Sequence, residues 1–82
     1  MTETADQRVN RYRLEGAELA AIALSDRPDD EAAIDNATDA GATWGKTSGM
    51  YYLSMPGSLD TIAAIEADGD ISFGSSIDQY RN

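Results

Sequence analysis

Not one cysteine occurs in this 82-residue chain, so neither disulfides nor thiolate-bound metal can staple its fold and an apolar core has to hold it. A chain this short buries only about 60% of the surface that its unfolded form exposes, which leaves little margin for waste. Twenty large apolar side chains lie between Val9 and Tyr80. They suffice for one small core, and an enclosed substrate cleft of several hundred Å³ would consume a large share of it. The expectation is a single domain over residues 1–82, with 1–4 and 79–82 frayed.

Histidine is absent as well. That removes the usual zinc ligand sets and any serine nucleophile activated by an imidazole, because no side chain with an unperturbed pKa near neutrality remains. Paired carboxylates could still act as acid and base, but they need an apolar pocket to separate their pKa values, and nothing in the pattern places one. The glycines match neither a phosphate loop nor a dinucleotide fingerprint. The reading is of a non-enzyme without cofactor or metal. The opening MTETADQR carries acids and no apolar run, and no apolar stretch approaches the length of a membrane span, so a cytoplasmic protein is expected.

Fifteen acids, ten Asp and five Glu, stand against five Arg and one Lys, for a net charge of −9. Such a charge repels phosphate backbones and anionic membranes, which argues against direct nucleic-acid or membrane binding. Thirteen alanines accompany it, a composition that a GC-rich or salt-adapted genome also produces.

Along the chain, Thr4 followed three residues later by Gln7 has the spacing of a capping box and opens a helix over about 5–24. Val9, Tyr12, Gly16, Leu19 and Ala23 recur on its apolar side, with Gly16 a weak point. A short strand over Arg11–Leu14 competes with the first half of this helix. Pro28 both ends the first helix and starts a second, over about 28–40, with Asp29, Asp30 and Glu31 in the first turn, where the helix dipole favours them, and Gly41 beyond its end. Residues 42–49 read as a loop or irregular strand carrying Trp44. Met50–Met55 is the best strand candidate, closed by Pro56-Gly57. Ser58 then caps a short helix over Leu59–Ala67, and Ile71-Ser72-Phe73 pairs beside the Met50 strand in either direction. The tail is one helical turn around Ile77 and Tyr80, or frayed. The fold class is therefore α+β: two N-terminal helices, then a small sheet of two or three strands with a short helix between them.

Six acids and one base lie between Asp26 and Asp39, and this segment is the strongest functional signal. On a helix Glu31, Asp35 and Asp39 stack at i, i+4 and i+8, roughly 6 Å apart, a spacing at which like charges destabilise. Such a row resembles the charges of a nucleic-acid strand. A cationic groove built for phosphates could accept it, as it accepts anti-restriction and anti-CRISPR inhibitors of the mimic type; the resemblance is one of size and charge. The candidate partner-binding residues are Asp29, Asp30, Glu31, Asp35 and Asp39, and the implied partner is a protein with a cationic nucleic-acid-binding groove.

Arg8, Arg11 and Arg13 are expected to contact this acidic helix, with Arg11 also spaced to pair with Glu15. An antitoxin-like binder would instead use them as a small DNA-contacting patch. Glu66, Asp68 and Asp70 alternate like the first ligands of a calcium loop, but Ile71 and Ile77 stand where that loop needs glycine and glutamate, so a helix-ending turn is the reading. Trp44, Tyr51 and Tyr52 are core candidates and, where one of them is exposed, the candidate apolar interface. Because Tyr51 and Tyr52 must point to opposite faces of a strand, one of the two could form an apolar interface for a homodimer or for docking as an accessory subunit.

Overall fold

Thr4 starts the first helix in the computed structural model, which describes residues 2–81. Its side chain accepts from the Gln7 amide at 3.2 Å while the Gln7 side chain accepts from the Thr4 amide at 2.9 Å, a complete capping box. Of the ends expected to fray, residues 2–4 and 79–81 are described. Glu3 is ion-paired and residues 75–80 are ordered into a 3₁₀ helix, while Met1 and Asn82 lie outside the described residues.

The helix α1 spans Ala5–Ala23 without interruption, so the competing strand over Arg11–Leu14 does not form. After a turn through Ser25 to Arg27, α2 runs Pro28–Asp39 with Pro28 in its first turn. Four strands follow: β1 (Thr43–Thr47), β2 (Met50–Ser54), β3 (Ala63–Ile65) and β4 (Ile71–Phe73). They form an antiparallel meander in chain order, with Trp44 opposite Leu53, Tyr52 opposite Ala64 and Ala64 opposite Ser72. The α+β class holds, with four strands where two or three were expected.

Three differences account for the extra strands. Residues 43–47 form a regular strand because Ser48 (φ 53°) and Gly49 (φ 79°) take the positive φ values of a two-residue hairpin turn, whose twist matches the strands it joins. The helix expected over Leu59–Ala67 is absent. Leu59 is fully exposed, Ser58 closes only a local turn by accepting from the Asp60 amide at 3.1 Å, and Ala63, Ala64 and Ile65 alternate in, out and in as β3. A nine-residue helix is marginal in itself, whereas a strand here buries Ala63 and Ile65 completely and pairs on both edges. Finally, β4 pairs with β3 and not with β2, so the acidic turn from Glu66 to Asp70 closes a β-hairpin and does not end a helix.

One face of the sheet carries Trp44, Tyr51, Leu53, Ala63 and Ile65 into the core, and α1 lies across β1, β2 and β3 on that side. The closest approach is at Gly16. A Cβ there would stand 2.6 Å from Cγ of Trp44, so only glycine lets the helix backbone rest on the indole. Ala20 from α1, Leu24 just past its end, Ala33, Ile34 and Ala37 from α2 and the loop residues Ala42 and Ile62 add to the core, and Ile77 of the 3₁₀ helix closes it beside α2. The opposite face of the sheet bears Gly45, Tyr52, Ala64 and Ser72 in one row.

Candidate functional site

The geometry of α2 follows from which of its residues the core claims. Ala33, Ile34 and Ala37 are buried, so residues about half a turn away must face solvent, and Glu31, Asp35 and Asp39 fall there as one row. Asp35 and Asp39 are exposed and Glu31 is half-buried at the seam with α1. Among the described residues none of the three has an ion-pair partner. The first-turn acids Asp29 and Asp30 sit where the helix's free amide groups favour negative charge.

Asp30 has a structural task. Its Oδ1 lies 2.6 Å from Nη1 of Arg81, and Asp78 is 3.5 Å from the same guanidinium at Nε. The hydrogen bond to Asp30 holds the Arg81 pKa above its ordinary value. Asn36 donates from Nδ2 to the Tyr80 carbonyl at 2.9 Å. The C-terminal 3₁₀ helix is therefore clamped to one flank of α2, and the row on the solvent side is presented from a fixed support.

The arginines of α1 do not reach α2 as expected. Arg8 and Arg11 turn back to Glu3, at 3.6 and 3.3 Å, because the capping box folds the N-terminal turn beneath them. Arg13 lies with Asn10 and Leu14 along an open groove, and among the described residues it has no carboxylate partner. Glu15 does not pair with Arg11; it accepts a hydrogen bond from the Tyr51 hydroxyl. That bond, then burial and the Glu15 charge, raise the Tyr51 pKa, with Lys46 opposing them.

The aromatic candidates separate as strand geometry requires. Trp44 and Tyr51 are core residues, 4% and 6% exposed, whereas Tyr52 is half-buried on the outer face, its hydroxyl directed to the sulfur of Met50 at 3.5 Å. Of the three, only Tyr52 is reached by solvent over part of its side chain. The Trp44 indole N–H is buried and, among the described residues, has no hydrogen-bond partner, an arrangement no sequence pattern announces.

Glu66, Asp68 and Asp70 do converge, with carboxylate oxygens within 4.8 Å of one another on the β3–β4 turn. Asp68 accepts from the Asp70 amide at 3.1 Å and the Asp70 carbonyl accepts from the Glu66 amide at 2.8 Å, so the same residues build the hairpin. All three are exposed. No helix is long and apolar enough to cross a membrane. Comparison with protein-family models, curated proteins and solved structures finds no match to this chain.

Proposed function

We propose that the chain is a non-catalytic binding module, a stoichiometric inhibitor whose acidic α2 face enters a cationic groove of a nucleic-acid-handling protein. The observation that carries this reading is the unpaired row of Glu31, Asp35 and Asp39 on a helix whose other faces are anchored. Like charges one turn apart cost an isolated helix a few tenths of a kcal/mol per pair. The chain has arginines one helix away, yet two of them serve Glu3. A cationic partner would supply what the fold does not, and carboxylates about 6 Å apart along the helix axis offer such a partner a regular line of negative charge, as a nucleic-acid strand does.

The test is capture from a nuclease-treated host lysate with tagged protein, eluted in salt steps from about 0.1 to about 1 M. The reading expects a nucleic-acid-binding protein that elutes at moderate salt, is displaced by added DNA or RNA, and is lost when Glu31, Asp35 and Asp39 are all changed to Lys. Capture unaltered by that triple variant removes the mimic reading. The half-exposed Tyr52 favours a different role, an accessory subunit docked through the outer sheet face. Its complex would hold or tighten as salt rises, and Tyr52→Asp would abolish it.

A further inference from the structure

We infer that two copies of this chain associate through the groove between α1 and α2, with Leu14 of each copy seated in the groove of the other. Asn10, Leu14, Ala17 and Ala21 follow one another at steps of four, three and four, which draws a second line along α1 beside the one that faces the core. All four are exposed, Leu14 to 72%. Next to this line runs an open groove of about 490 Å³, between α1 and the segment from Thr38 to Thr43 with Trp44 on its wall. It continues past Ala17 and Ala21 to a second hollow rimmed by Glu31 and Asp35.

Charge selects the occupant. Among the described residues Arg13 at one end of the groove has no ion-pair partner, and neither do Glu31 and Asp35 at the other. Residues 13–21 span about 12 Å of helix axis. A groove whose ends differ in sign is complementary to itself under two-fold rotation, the symmetry of most soluble dimers. With the axis near Ala17, each Leu14 meets Ala21 of the other copy, where the small side chain leaves room, and each Arg13 reaches the Glu31 and Asp35 rim. The segment 5–23 is itself neutral, Arg8, Arg11 and Arg13 offsetting Asp6, Glu15 and Glu18. Two copies of a strongly acidic chain repel least where they meet through this helix. Glu31 and Asp35 also belong to the row assigned above to a basic partner, so that partner must displace the second copy; the dimer itself does not depend on that reading.

The experiment is sedimentation equilibrium of the full chain at about 0.15 M salt, from about 1 to about 500 μM, the range of weak to moderate interfaces. The average mass is expected to climb from 8.8 kDa toward twice that value, and emission from Trp44, the one tryptophan, to change over the same range. Leu14→Asp, at a solvent-exposed position, should raise the dissociation constant by about tenfold or more while circular dichroism stays unchanged. Arg13→Glu should weaken association as well, and Arg13→Glu with Asp35→Arg should restore it. A monomer mass at every concentration overturns the inference. So does self-association that Leu14→Asp leaves intact, and so does a charge swap that fails to restore what Arg13→Glu removed.

Discussion

Gly16 sits in mid-helix, where glycine costs about 1 kcal/mol relative to alanine, so helix propensity predicts that Gly16→Ala stabilises. The Trp44 ring predicts the opposite. A Cβ 2.6 to 2.8 Å from three indole and Cβ atoms must move either the helix or a buried tryptophan that packs on the sheet. Overpacking of this kind costs about 1–3 kcal/mol or more, and at so close an approach it wins. Urea unfolding should show Gly16→Ala to be less stable by about 1–2 kcal/mol net; a gain would mean that α1 does not rest on Trp44. Tyr51 gives a second residue-level outcome. Its neutral form is favoured in the fold, so its folded pKa lies above the unfolded value of 10.0. The stabilisation is fully present below that unfolded pKa and is lost as pH rises through the folded pKa. Tyr51→Phe should remove this alkaline loss and cost about 1–3 kcal/mol at neutral pH, because the half-buried Glu15 carboxylate loses its donor. Thermal melts of both proteins between neutral pH and the alkaline range check the sign: an equal alkaline loss in the Phe variant would assign it to another group.

At the scale of elements, what the sequence disclosed depended on whether the signals were local. Both helices were legible because their ends are written in adjacent residues: the Thr4 and Gln7 box, and Pro28 after the Ser25 turn. The strand at Met50 was legible from its continuous apolar run, and the opposed facing of Tyr51 and Tyr52 followed from the period of two. The segment 59–67 was not legible. Leu59, Ile62 and Ala63 suit a helix face, and only the partners supplied by β2 and β4 make Ala63–Ile65 a strand. The carboxylate row of α2 was readable from its spacing, but the diversion of Arg8 and Arg11 to Glu3 was not, since it depends on the cap folding Glu3 back. The anchoring of Asp30 by Arg81 joins residues 51 apart in sequence, beyond any local pattern. One outcome belongs at this scale. Changing Glu31, Asp35 and Asp39 together to Gln removes two like-charge pairs at i, i+4 and should raise stability by up to about 1 kcal/mol, as read by urea unfolding. At low micromolar protein, where the copies are apart, a clear loss would mean that the row holds contacts within the fold.

Across the whole molecule, the net effect of salt on stability is set by which of two opposed electrostatic contributions is larger. Among the described residues only Glu3, Asp30 and Asp78 of the fifteen acids are ion-paired, while the net charge is −9. Salt weakens both the few bridges and the general repulsion, and the two effects oppose each other. The bridges involve side chains that are mostly well exposed, each worth about 0–1 kcal/mol, and the unpaired acids act on one another across a molecule whose Cα radius of gyration is 12.3 Å. Those separations exceed the Debye length of about 3 Å at 1 M salt and fall within the roughly 30 Å at 0.01 M, so repulsion has the longer reach at low salt and loses more on screening. Raising sodium chloride from about 0.01 to about 0.5 M should therefore stabilise the fold by about 1 kcal/mol, which for a domain of this size is a rise of about 4–8 °C in Tm. The measurement belongs at low micromolar protein, where self-association contributes least, with the triple Gln variant beside the parent. The variant carries three fewer negative charges, so its salt-induced rise should be smaller. A melting temperature that falls with salt would reverse the assignment, making the Arg81 clamp and the Glu3 pairs the dominant electrostatic feature of the chain.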